Sequence, residues 1–277
     1  MKKIIVPIDF SEYSENALET AAALARKYNA EILALHMLEL SNAVLTSTTD
    51  QHDVEAIFYL KLAEKKFKTF LKKDYLNDLK VTPVVKHFKV FSEVNDVAEE
   101  NDADLVVMGS HGVSGIKEVL VGSNTEKVVR HSKIPVLVVK HNPILTDFEN
   151  VVFACNFSEE ALKPYRNAFK MFNKIKVKVH LLYVNIPDIG FKSSAEMEKK
   201  VAEFLKLADG NLDKMKDVTY VSDYSIEQGI LNFSNIVGAD LIAIATHGRT
   251  GLSHFFEGSI SEDVANHSTL PVITFKM

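Results

Sequence analysis

Cysteine is nearly absent: Cys155 is the one thiol in 277 residues. No intramolecular disulfide can form, and a cysteine-based metal site is not expected. Charge of one sign is not in excess either. The 32 Lys and Arg against 37 Asp and Glu leave −5, with both signs spread along the chain. The basic field that a duplex-DNA binder needs is missing. No apolar run approaches the length of a membrane span. The opening MKKIIVPIDF has two lysines, but Pro7 and Asp9 interrupt it before a signal-peptide core forms, and no small-residue cleavage site follows. A soluble cytoplasmic protein is the expectation. Two familiar phosphate motifs are lacking as well. No G-x4-G-K-[ST] occurs, and no G-x-G-x-x-G follows the first apolar run.

What is there is a sequence written twice. IIVPIDFSE (4–12) returns as VVFACNFSE (151–159), and ILALHML (32–38) as VHLLYVN (179–185). DADLVVMGSHG (102–112) returns as GADLIAIATHG (238–248), and VVRHSKIPVLVVK (128–140) as VANHSTLPVITFK (264–276). The early matches lie 147 positions apart (4 to 151) and the late ones 136 (102 to 238), so the second copy is 11 residues shorter. The first copy holds the polar stretch SNAVLTSTTDQHD (41–53) in that interval, which suits an inserted loop. HNPILTDFEN (141–150) suits a short linker, placing domains at 1–142 and 149–277.

Each copy alternates short, β-branched apolar runs with amphipathic ones. IIVPI, EILALHML, VTPVVKHF, DLVVMG and PVLVV fit strands covered on both faces. SEYSENALETAAALARKYN predicts a helix with Ser11 as N-cap and a stripe of Ala17, Leu18, Ala21, Leu24 and Ala25. A second helix is expected over 53–79, with Val54, Ile57, Phe58, Phe67, Phe70 and Leu71 toward the core, and a shorter third over 93–101. Such alternation means α/β class with a parallel sheet and right-handed crossovers. Ligands in these sheets sit at the carboxyl ends of strands, where strand order switches.

The stretch GSHGVSGIKEVLVGS (109–123) follows the run DLVVMG, and ATHGRTGLSHFFEGS (245–259) nearly repeats it. Gly109 ends a strand, where a missing Cβ lets a ligand approach the backbone. Gly112 permits a tight turn. Gly122 and Ser123 open a helix whose free N–H groups and dipole favour an anion. The competing reading is that these glycines only end a strand and cap a helix, and that the repetition reflects a duplicated fold.

The pattern G-x2-G-x9-G-[ST], matched by Gly109, Gly112, Gly122 and Ser123, resembles the ATP-binding signature of the universal stress protein family. The strand-end Asp9 in VPIDFSE, the small-residue helix after it and the PVLVV strand at 135–139 agree with it, and the resemblance covers essentially the whole chain in tandem. It implies two Rossmann-like (HUP-type) α/β sandwich domains, each with a five-stranded parallel sheet, paired as an intramolecular pseudo-dimer through PVLVV and PVITF. It implies that Asp9, beside Pro7, meets a ribose, and that the main chain near Met37 meets an adenine edge. Gly109, His111, Gly112, Gly122, Ser123 and Asn124 would surround the phosphates of ATP, with Mg2+ accompanying them.

The second copy departs from that pattern. Asn156 replaces the strand-end Asp, and Ala245 replaces the first Gly, while Gly248, Gly258 and Ser259 are retained. Asn156 keeps a hydrogen-bonding amide without charge. A methyl group at 245 is expected to crowd a phosphate or ribose, and Arg249 to add a compensating cation beside the loop. Val184 is the counterpart of Met37. Nucleotide is therefore expected in the first half before the second. Three functions compete: an ATP-binding regulatory protein of stress response, a slow ATPase with His111 as the nearby acid–base group, and a nucleotide-free interaction module. No metal-binding cluster of side chains is expected, since His87, His141 and His180 lack ligand spacing. Cys155 reads as inert core, and the lysines of KLAEKKFKTFLKK as a solvated helix face. No nucleic-acid or membrane partner is expected. A protein partner and further dimerisation stay open.

Overall fold

A computed structural model describes residues 1–38, 49–87, 93–111, 122–144, 147–188, 190–246 and 259–276, with backbone alone at 49–56, 87 and 259–262. The chain divides into two compact units, Met1–Leu145 and Thr146–Met277. The first holds β1 (Lys3–Pro7), α1 (Glu12–Tyr28), β2 (Glu31–Leu38), α2 (Thr49–Phe70), β3 (Val81–His87), α3 (Val94–Glu100), β4 (Leu105–Gly109), α4 (Ser123–His131) and β5 (Val136–Val139). The second holds β6 (Asn150–Ala154), α5 (Leu162–Ile175), β7 (Lys178–Asn185), α6 (Ser194–Asp209), β8 (Val218–Ser222), α7 (Ile226–Ile236), β9 (Leu241–Thr246), α8 (Ser259–His267) and β10 (Val272–Lys276).

Each unit is Rossmann-like, built on a five-stranded parallel sheet. The order is β3-β2-β1-β4-β5 in the first and β10-β9-β6-β7-β8 in the second. The apolar runs are continuous because the central strands are covered on both faces. Every residue of β4 and of β9 is buried. Burial of each Leu or Ile side chain there contributes about 1.5–3 kcal/mol. Pro83, which has no N–H to donate, lies in β3, the outermost strand of its unit's order. In the second unit Phe153 meets Tyr165, Phe169, Phe172 and Phe275 at tilted or edge-on angles, 6.1 to 6.4 Å between centroids. Such pairs each add about 0.5–1.5 kcal/mol beyond area.

Helix α1 forms as its sequence predicts. The Ser11 hydroxyl accepts from the Ser14 N–H, and Ala17, Leu18, Ala21 and Ala25 are buried while Leu24 is half-buried. Helix α2 departs from expectation. It ends at Phe70, not 79, and a short 3-10 turn follows at Asp74–Leu76. Ile57 and Phe58 are exposed, at 51% and 61%, and Ala63 and Phe67 turn inward instead. Phe70 and Leu71 are half-buried, and the Val54 side chain lies outside the described residues. Apolar residues stand on more than one side of this helix, and packing against Phe10 selects the Phe67 side. Of the stretch 41–53 read as a loop, residues 49–53 are helical, since α2 starts at Thr49 rather than Asp53; 41–48, Phe255 and Phe256 lie outside the described residues. Among the described residues no helix is long and apolar enough to cross a membrane.

Candidate functional site

The strand order reverses between β1 and β4 in the first unit and between β6 and β9 in the second. Helices leave adjacent strands in opposite directions there, opening a crevice at the carboxyl ends. Pro7 closes β1 and Gly109 closes β4, so Asp9 and the head of the glycine stretch reach the same crevice.

The turn after β1 explains how Asp9 is aimed. Phe10 takes a left-handed φ of 67° and Phe157 one of 51° at the matching point of the second unit. That conformation costs a non-glycine residue about 1–2 kcal/mol, and ring packing offsets it. Phe10 lies 4.6 Å from His36 and 5.2 Å from Phe67, while Phe157 stacks on Tyr183 at 5.8 Å. The reversal folds the strand-end side chain over the next helix. Asp9 Oδ1 accepts from Ser11 N at 3.0 Å and from Ser11 Oγ at 2.6 Å. Asn156 Oδ1 accepts from Ser158 N at 3.0 Å, the same turn with an amide in place of the carboxylate. Asp9 thus supports the helix that Ser11 caps, whatever else it meets.

Gly109 has a reason that the sequence reading did not supply. A Cβ there would stand 2.6 Å from the Tyr13 carbonyl oxygen. That space is taken by the first turn of α1. In the second unit a 3-10 turn, Glu159–Ala161, replaces that α-helical turn, and the buried methyl of Ala245 is accommodated.

The two ends of the first glycine stretch are stitched together. Gly122 N donates to Ser110 O at 2.7 Å, and Thr125 Oγ1 donates to Gly109 O at 2.8 Å. Gly122 is the N-cap of α4 and offers no capping side chain, so the first-turn N–H groups at Ser123 and Asn124 have no side-chain cap among the described residues. His111 Nδ1 lies 2.9 Å from Ser110 Oγ, and its ring sits 5.0 Å from Tyr13 and 6.2 Å from a stacked His141. Asn16 donates to His141 O at 2.8 Å, holding that wall to α1. His36, at the end of β2, donates from Nδ1 to Ile8 O at 2.7 Å. Burial lowers its pKa, opposed by that bond, with Lys66 lowering it further and Asp9 raising it. Met37 is itself buried in the core with Leu35 and Met108, so only its main chain is left to meet a ligand.

In the second unit the same crevice is a cavity of about 540 Å³. Asn156 and Val184 line it, with Cys155, Tyr183, Lys192 and Lys200. The Val184 side chain is pressed against α7, where a Cβ on Gly229 would stand 2.6 Å from Val184 Cγ1. Cys155 is fully buried, and burial pushes its thiol up to about 12.

The universal stress protein family model matches residues 1–140 and again 147–276. The chain belongs to the universal stress protein family. Universal stress protein MJ0577 of Methanocaldococcus jannaschii is 33% identical over 154 residues, covering 50% of this chain and 94% of that protein. Universal stress protein G of Shigella flexneri is 35% identical over 143 residues, covering 50% of this chain and 99% of its own length. A solved universal stress protein from Archaeoglobus fulgidus aligns over 99% of this chain and 96% of its own, with a TM-score of 0.65 and 23% identity, a likeness of fold.

Of the family's signature positions, the structure brings Pro7, Asp9, Gly109, His111, Gly122, Ser123 and Asn124 around one crevice, with the main chain at Met37 on the adjoining strand. In the second copy it brings Asn156 and Val184 to one cavity. Gly112, Gly248, Arg249 and Gly258 lie outside the described residues, and Ser259 is described only as the start of α8. Sequence reading missed Tyr13, His36, Lys192 and Lys200. His36 stands in the repeated ILALHML run next to Met37, a signal at hand. Lys192, before the Ser193 cap, and Lys200, on α6, look like any solvated charges until the fold places them.

Proposed function

We propose that this tandem universal stress protein is an adenine-nucleotide-binding regulatory protein and that its first unit binds ATP with Mg2+. The observation that carries this reading is the uncapped N-terminus of α4, tied to the end of β4 by the Gly122–Ser110 bond at 2.7 Å, beside the strand-end Asp9. A helix N-terminus of this kind stabilises phosphate through free N–H groups and its dipole. Ser123 and Asn124 would hold the phosphates, Asp9 the ribose, and the main chain at Met37 the adenine edge. Tyr13, His111 and His141 would wall the site on the α1 side. Bound Mg2+ would offset phosphate charge. With His111 beside Ser110 and packed between Tyr13 and a stacked His141, the described residues around the crevice are suited to holding a nucleotide rather than activating water, so regulation is favoured over hydrolysis. The two-repeat layout fits a pseudo-dimer within one chain, and sedimentation at the mass of a single chain is the outcome that reading expects.

The deciding experiment is nucleotide content. The natively purified chain is denatured and the released nucleotide is identified and counted. About one ATP per chain is expected, abolished by Gly122→Val, weakened by Asp9→Ala and unaffected by Gly258→Val. No nucleotide, and no binding when Mg-ATP is added, would replace this reading with a ligand-free interaction module.

A further inference from the structure

The cavity of the second unit carries positive charge. Lys192 and Lys200 both line it. Lys200 projects from α6, half-buried, with Nζ 5.7 Å from the centroid of the Tyr183 ring. Among the described residues its ammonium makes no ion pair or hydrogen bond. Burial lowers its pKa, the neighbouring Lys192 lowers it further, and Cys155 acts the other way. Glu159 and Glu160 also line the cavity, but both are exposed and neither is among the groups acting on Lys200. A half-buried ammonium without a counter-charge is unfavourable until an anion arrives.

Two further features favour an anion here. Asn156 stands where the first unit has the Asp9 carboxylate, so a negative charge is missing from the strand end. The Ser158 hydroxyl lines the cavity and, among the described residues, is buried without a hydrogen-bond partner. Its counterpart Ser11 is fully engaged, donating to Asp9 Oδ1 and accepting from Ser14 N. The helices differ in the same sense. Four residues before the buried Phe67 stands Ala63, and four before the equivalently packed Phe204 stands Lys200. The rest of the wall is mainly apolar, with Leu182, Tyr183, Val184, Ile186 and Ile226, and the buried Asn185 among them is bonded to the Lys192 backbone.

We propose that the second unit binds a small organic oxyanion, a carboxylate or phosphate monoester on an apolar body. Lys200 and Lys192 hold the anionic head, Ser158 and Asn156 donate hydrogen bonds to it, and the apolar wall from Leu182 to Ile226 takes the body. The site is independent of nucleotide in the first unit.

The test titrates the full chain with phenyl phosphate, benzoate and neutral benzyl alcohol, followed by ligand-observed NMR. The expected result is that one or both anions bind at least tenfold tighter than benzyl alcohol, the difference between the two naming the head group. Lys200→Met and Lys192→Met should each weaken the anion about tenfold, as loss of a charged hydrogen bond does, while Lys200→Arg retains it. Gly122→Val, which closes the crevice of the first unit, should leave it unchanged, so failure here and failure of the ATP reading are distinguishable. Thermal unfolding gives a second readout. Lys200→Met without ligand should melt no lower than the parent, and phenyl phosphate should raise the parent's Tm but not the variant's. Equal binding of anions and benzyl alcohol, no binding of any probe, or full anion affinity in a folded Lys200→Met would overturn the proposal.

Discussion

A glycine at the end of a strand invites a ligand-based explanation, and Gly109 shows why the neighbours have to be consulted. Its missing Cβ is required by the Tyr13 backbone, 2.6 Å from where that atom would stand. Gly109→Ala forces a helix turn to shift and should cost about 1–3 kcal/mol. Ala245→Gly in the second unit removes one methyl and adds chain entropy, costing about 0.5–1 kcal/mol. Urea unfolding of both variants checks the asymmetry, and equal losses would contradict the backbone-contact argument. Cys155 is argued at the same scale. Its thiol is pushed up to about 12 by burial, and a raised pKa means the protonated, unreactive form persists through neutral and mildly alkaline pH. Iodoacetamide at pH 8 should therefore modify the native chain far more slowly than the urea-unfolded one. Similar rates would mean that the strand end opens readily.

Helix starts form a matched pair across the two units. Ser11 caps α1 with its side chain, and Ser158, at the equivalent point, begins a 3-10 turn with no side-chain cap bond. The same substitution should therefore behave differently in the two places. Ser11→Ala removes a cap and should lower stability by about 1 kcal/mol. Ser158→Ala removes a hydroxyl that has no partner among the described residues and should be neutral or slightly stabilising. Denaturant midpoints of the two single variants are the measurement, and a loss at Ser158 equal to that at Ser11 would contradict the reading. Helix α6 is secured more firmly, by a capping box in which Ser193 and Glu196 satisfy each other's backbone N–H groups and by a left-handed Gly210 at its end. That anchoring suits the element that carries Lys200.

At the scale of the molecule, a ligand that binds the folded chain stabilises it by mass action. Mg-ATP at a hundredfold excess over its Kd should add about 2.7 kcal/mol, seen as a rise in Tm. Gly122→Val should remove that rise while leaving the ligand-free Tm close to the parent's. A rise that survives Gly122→Val would relocate nucleotide to the second unit. The two units share topology, the left-handed strand exit and the Asx turn, yet differ at three positions that bear on a ligand. Carboxylate becomes amide at 156, glycine becomes alanine at 245, and at 200 stands an ammonium with no ion pair among the described residues.

The sequence by itself determined the fold class, the tandem repeat, the family, and helix α1 with its Ser11 cap. Those follow from period, repetition and local hydrogen bonding, which neighbouring residues carry. It also marked the strand ends at Asp9 and Gly109, because chain direction and apolar runs place them. The tertiary structure alone decided which side of α2 faces the core, since Ile57 and Phe67 are both apolar and packing against Phe10 and His36 chooses between them. It decided that Gly109 makes room for α1, and that Lys192 and Lys200 face a cavity rather than solvent. Asn156, Lys200 and Ile226 belong to three separate elements of the second unit. Their proximity is a property of packing, and no local pattern in the chain encodes it.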